Sequence, residues 1–211
     1  MKKILCALII SVAVTAAAFA EEPAGENAGI LRDDAKAFIT AVETVPKFKL
    51  SAGAGGVFVM GFGARDYEDD TKTLSLGLGG GGFAFLDATF AELSVGYAYG
   101  RTTIRTETGG QTTKDSDTLS VLDVDLLGKY PINLGRISLF PLFGVNYQHA
   151  FSPDDENIWR IRFGGGMDYK FTEKLYLRGQ ALFGVRLPWE NDDGLDLYMD
   201  YRTRIAFGYT F

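Results

Sequence analysis

The stretch Met199–Phe211, MDYRTRIAFGYTF, constrains this chain more than any other. Met199, Tyr201, Thr203, Ile205, Phe207, Tyr209 and Phe211 fall on one parity; Asp200, Arg202, Arg204, Ala206, Gly208 and Thr210 fall on the other. In a β-strand alternate side chains point to opposite faces, so one face is aromatic and the other is ionic or small. A water-soluble sandwich would turn the rings into a core and leave the arginines in water. A closed barrel in a membrane does the reverse, with rings in lipid and charges in a narrow lumen. The rest of the chain decides between them by whether it supplies partners that close this strand into a ring.

Seven more segments carry the same period of two. The first, Phe48 to Phe62, sets Phe48, Leu50, Phe58, Met60 and Phe62 against Lys49, Ser51, Gly53, Gly55 and Gly61. The second, Thr73 to Leu86, has Leu74, Leu76 and Leu78 at even positions, then Gly79–Gly82, then Phe83 and Phe85 at odd positions. A bulge in the glycine run would restore a common facing. The third sets Leu93, Val95, Tyr97 and Tyr99 against Glu92, Ser94, Gly96 and Ala98, and RTETGGQTTKDS reads as a polar loop after it. The fourth, Thr118 to Tyr130, opposes Leu122, Val124 and Leu126 to Asp123, Asp125 and Lys129. The fifth to seventh, beginning near Ile137, Trp159 and Leu175, follow the same rule. Connections alternate between short turns on the side of the two chain ends and longer acidic loops on the other. A glycine run can cradle phosphate, but no helix pattern or Lys-Ser/Thr pair follows this one.

Residues 1–20 read as an export signal. Lys2 and Lys3 precede an apolar run, and Ala18-Phe19-Ala20 offers a small-residue cleavage site. Cys6, the one cysteine, lies inside this segment, so the exported chain carries no thiol or disulfide. Without the signal lysines the formal charge moves from −6 to about −8. An acidic chain with no basic patch is not a nucleic-acid binder. Residues 21–46 form a leader in which Leu31, Ala35, Phe38 and Val42 recur at helical spacing, predicting a short periplasmic helix over about 33–44. The barrel spans 47–211. The predicted fold is all-β, an eight-stranded antiparallel up-and-down transmembrane β-barrel; the alternative is a soluble β-sandwich.

The export signal, the eight alternating strands and the ending IAFGYTF resemble the small eight-stranded outer-membrane proteins, the broad OmpA/OmpX/OmpW-like class. That resemblance covers about 47–211 and implies residence in a bacterial outer membrane, with outer-membrane lipid as surroundings. It also implies that Ile205, Phe207, Tyr209 and Phe211 form the signal presented to the barrel-assembly machinery. No peptidoglycan-binding stretch follows Phe211, so an anchoring role is not expected.

The lumen of eight strands is only wide enough for side chains to fill. Its expected charge network is Lys49, Glu92, Asp123, Asp125, Arg160, Arg162, Asp168, Arg178, Arg186, Asp200, Arg202 and Arg204. Alternating strand directions put Arg202 and Arg204 level with Asp123 and Asp125, and Arg178 lower, near Glu92 and Asp168. Paired, these groups make a structural plug and suit a structural or surface-interaction role; surplus arginines would suit a narrow porin-like channel for ions or small solutes. Acidic clusters at Asp66/Glu68/Asp69/Asp70, Asp154/Asp155/Glu156 and Glu190/Asp192/Asp193/Asp196 offer a rim for a host or extracellular ligand. None has an EF-hand spacing, so no metal is assigned, and no cofactor is expected. His149 is the one histidine and Ser152 its nearest nucleophile, too thin a pairing for catalysis, so no enzymatic activity is expected.

Overall fold

In the computed structural model the described residues are 46–66, 71–152, 156–187 and 197–211. The expected export signal and leader helix, and most of the acidic loop residues, lie outside them. The strands are β1 (Ser51–Asp66), β2 (Lys72–Asp87), β3 (Ala91–Thr108), β4 (Gln111–Lys129), β5 (Ile132–Leu134), β6 (Ile137–Ser152), β7 (Glu156–Lys170), β8 (Leu175–Arg186) and β9 (Leu197–Thr210). Each long strand pairs antiparallel with its neighbour in sequence. β1 pairs with β9, from Ser51↔Thr210 to Ala64↔Leu197, and β4 pairs with β6, so eight long strands close a barrel. The three-residue β5 only extends the β6 ladder.

Polarity decides against the sandwich. Ile205, Phe207 and Tyr209 are 59%, 61% and 44% exposed, whereas Arg202 and Arg204 are 1% exposed. The same division runs round the ring: Phe58, Leu76, Val95, Leu126, Phe143 and Phe163 face out, and Ser94, Asp125, Asn146 and Arg162 face in. Ring pairs gather in two belts on the outer surface. Phe90–Tyr130, Tyr169–Phe171 and Tyr209–Phe211 lie toward the end that carries the short turns, and Tyr147–Trp159 and Phe183–Tyr201 lie higher. Amphipathic rings at two levels with aliphatic side chains between them are the signature of a lipid-facing wall. On β3 the outward positions run Leu93, Val95, Tyr97, Tyr99 and then change to Arg101, Thr103 and Arg105, which marks the top of the apolar band.

Two expectations are corrected. The glycine run holds no bulge: β1 and β2 stay in one register from Ser51↔Asp87 to Asp66↔Lys72. Leu74, Leu76 and Leu78 therefore face out, while Phe83 and Phe85 point into the lumen, 5% and 3% exposed. Inward glycines make room for such rings; a Cβ on Gly53 would meet the Phe85 ring, and one on Gly166 the Phe140 ring. The register shift in the ring lies instead at Ser120/Val121, where β4 meets β6. Second, RTETGGQTTKDS is not a loop. β3 and β4 stay paired to Thr108↔Gln111 and turn on Gly109 and Gly110 (φ +57° and +80°), a two-residue turn whose positive φ values suit glycine.

At the opposite end Thr89, with φ +64°, ties the entry of β1 to the β2–β3 turn. Its hydroxyl accepts from the Lys49 amide (2.7 Å) and donates to the Lys49 carbonyl (3.0 Å), while its own amide donates to Asp87 Oδ1 (3.0 Å).

The in-register glycine run makes a paired test. A Cβ on inward Gly81 would strike the Tyr97 carbonyl and the Ala98 Cα, whereas one on outward Gly82 meets only the Gly55 carbonyl, at 3.6 Å. Gly81→Val should destabilise the refolded barrel by about 1–3 kcal/mol and Gly82→Val by far less, measured as urea midpoints in detergent.

Candidate functional site: an ionic layer across the lumen

The even positions of β9 and β7, the odd positions of β4 and the even positions of β8 all point inward, so four strands aim charged groups at one another across the barrel. The upper layer is centred on Arg162. It donates from Nε to Asp125 Oδ1 (3.1 Å), from Nη1 to both Asp200 oxygens (2.9 and 3.1 Å) and from Nη2 to Asn146 Oδ1 (3.1 Å). Arg202 donates from Nε to Asp200 Oδ2 (2.8 Å) and forms an ion pair with Asp123 (2.6 Å). Arg204 bonds Asp125, donates to Ser94 Oγ (3.1 Å) and lies over the Phe83 ring at 4.9 Å. Arg160 reaches a carboxylate only at 3.8 Å, from Nε to Asp200.

The lower layer is centred on Arg178. Its guanidinium makes a two-bonded fork to Asp168 (2.7 and 2.8 Å) and reaches Glu92 (2.7 Å) and Asp87 (2.5 Å). Gln180 adds a second donor to Glu92, and Lys129 pairs with Asp87. Phe85, Phe140 and Tyr176 surround the guanidinium at 4.5, 5.1 and 5.2 Å from their ring centres. A forked guanidinium–carboxylate pair is among the strongest side-chain contacts, and aromatic faces stabilise the cation further.

Across both layers Asp87, Glu92, Asp123, Asp125, Asp168 and Asp200 stand against Lys129, Arg160, Arg162, Arg178, Arg202 and Arg204, six charges of each sign. Arg162, Arg178, Arg202 and Arg204 are each at most 1% exposed, so the two layers are closely packed. Open space remains above and below. An upper vestibule of 350 Å³ includes Thr102, Gln148, Arg160 and Tyr198 in its lining. A lower one of the same volume includes Lys47, Lys49, Lys170 and Arg178, and the two share no lining residue.

The sequence reading placed two residues differently. Lys49 is not part of the network: its side chain is exposed at the lower mouth, because it precedes the point where β1 enters the ladder. Arg186 sits at the upper rim, bonded to Glu156 (2.6 Å) with both side chains partly exposed. Reading alone missed Asp87, Lys129, Asn146 and Gln180 as members of the network. Asp87 was hidden by the supposed bulge, since an uninterrupted parity from Phe83 through Phe85 carries it inward. His149 packs against Phe151 on the outside, with its Nδ1 2.8 Å from Asn157 Oδ1, while Ser152 lines the upper vestibule. Ile205, Phe207, Tyr209 and Phe211 all stand on the outer surface.

No protein-family model and no curated protein sequence matches the chain. Among solved structures it is similar to the outer membrane protein OprG from Pseudomonas aeruginosa (TM-score 0.55, 15% identity, 81% of this chain and 99% of that one). The chain has the fold of the small outer-membrane β-barrels. Weaker likenesses are to Neisserial surface protein A (TM-score 0.45, 9% identity, 77% and 97% covered) and to Ail, the attachment invasion locus protein of Yersinia pestis (TM-score 0.40, 12% identity, 79% and 100% covered). An outer-membrane barrel of this kind is a scaffold on which several activities can be built, so its function has to be argued from its lumen.

Removing Arg178 would leave three buried carboxylates without their shared partner. Arg178→Leu should lower the stability of the barrel by about 3–5 kcal/mol, whereas Arg186→Leu at the rim should cost about 1 kcal/mol or less, compared by urea titration of heat-modifiable gel mobility.

Proposed function

We propose that this chain is an exported, non-catalytic barrel of the bacterial outer membrane with a structural or surface-interacting role, its lumen closed to passive flow. The observation that carries the reading is the double layer of buried ion pairs between two vestibules that share no lining residue. Neutralised, hydrogen-bonded charges hold the wall rigid; they leave no chain of free cations along which an anion could move.

In this reading residues 1–20 direct export and are removed, and 21–46 form a periplasmic leader. Ile205, Phe207, Tyr209 and Phe211 present the outward face of β9 to the barrel-assembly machinery. The projecting β3–β4 hairpin meets the exterior, and the acidic loop residues are proposed as the contact for a host or extracellular ligand.

Planar-bilayer recording on the refolded barrel tests the closed lumen. Wild type should give no unitary conductance steps. Persistent steps whose size changes in Arg202→Ala would instead establish the narrow channel.

A further inference from the structure

The upper layer is not balanced on its own. Arg160, Arg162, Arg202 and Arg204 face Asp123, Asp125 and Asp200, which leaves one positive charge over. The surplus settles on a particular residue. Arg202 Nη2 and Arg204 Nε also lack a hydrogen bond, but Arg162, Arg202 and Arg204 each lie within 3.1 Å of a carboxylate. Arg160 comes no nearer than 3.8 Å, and both its Nε and its Nη1 have no hydrogen-bond partner among the described residues, although the residue is only 9% exposed. A buried guanidinium with unspent donors is costly unless something accepts from it.

Arg160 borders the upper vestibule, and so does Gln148, which is 5% exposed and whose Oε1 is likewise without a partner. The two lie diagonally across adjacent strands, since Gln148 pairs with Ile158 and Asn146 with Arg160. Such diagonal neighbours are near enough for one small molecule to touch both. Above this polar floor the wall carries Ile104, Leu119, Ala150 and Ile158. A cavity of 350 Å³ is of the size that holds small organic ligands.

We propose that the upper vestibule binds a small 2-hydroxy monocarboxylate. Its carboxylate accepts from Arg160, its hydroxyl donates to Gln148 Oε1, and its aliphatic part lies against Leu119, Ala150 and Ile158. A single negative charge neutralises the upper layer. A dianion such as phosphate or sulfate would exceed that surplus and would face Asp117, Glu156 and Asp200, which also line the space. The site opens toward the exterior and does not depend on whether the lumen conducts, so it stands or falls separately from the closed-channel reading.

The test is a titration of the isotope-labelled barrel, refolded in detergent micelles, with 2-hydroxypentanoate and with the neutral 2-hydroxypentanamide, followed by backbone amide shifts. Saturable shifts at Leu119, Gln148, Ile158 and Arg160 are expected with the acid and not with the amide. Arg160→Gln should weaken binding about tenfold or more, the loss expected for a charged hydrogen bond. Leu119→Trp, which fills the cavity without touching an ion pair, should abolish binding and decides the matter if Arg160→Gln does not refold. An equal response to the amide, unchanged affinity in the variants, or no saturable shift up to roughly 50 mM acid would overturn the proposal.

Discussion

A ring of eight strands encloses a space that side chains must fill, and in this chain the filling is ionic. The outer wall faces lipid and the inner wall must not be left as unsatisfied charge. Both demands fall on the same strands, residue by residue. The dyad of β9 meets them together: Ile205 and Phe207 serve the lipid, Arg202 and Arg204 the lumen. The remaining architecture follows from arranging carboxylates from β2, β3, β4, β7 and β9 around guanidinium groups from β7, β8 and β9.

Size matching accompanies the pairing of charge. Phe83, Phe85, Phe140 and Tyr176 point inward and lie against or beside the arginines, and inward glycines opposite them leave the necessary room. These rings exclude water from the ion pairs, which strengthens each pair and raises the cost of breaking one. The result is two stacked ionic layers, with a vestibule on each side. Arg160, the member of the upper layer that comes no nearer to a carboxylate than 3.8 Å, lies where that layer meets the upper vestibule.

Much of this was legible in the residues. Alternation marked eight strands and gave the facing of seven of them, and alternating strand directions put Arg202 and Arg204 level with Asp123 and Asp125, where the structure joins Arg202 to Asp123 and Arg204 to Asp125. The second strand was misread because four consecutive glycines carry no facing information. With no side chains to mark parity, a bulge and an uninterrupted run look alike, and the choice moved Phe83, Phe85 and Asp87 together. The β3–β4 hairpin was missed for a different reason. Above the lipid both faces of a strand meet water, so Thr102 to Ser116 lose the alternation and keep only their backbone pairing and the Gly109–Gly110 turn. Lys49 kept the right parity yet lies before the ladder begins, and parity alone says nothing about height.

The most direct test of reversed polarity is a scan of single cysteines from Tyr201 to Tyr209, each spin-labelled in the barrel reconstituted in lipid. Labels at Tyr201, Thr203, Ile205, Phe207 and Tyr209 should collide readily with oxygen dissolved in the bilayer, while those at Arg202, Arg204 and Ala206 should be shielded from oxygen and from aqueous nickel chelate alike. The same alternation with the sets exchanged, or Arg202 and Arg204 positions open to the aqueous reagent in a detergent-free soluble protein, would contradict the account.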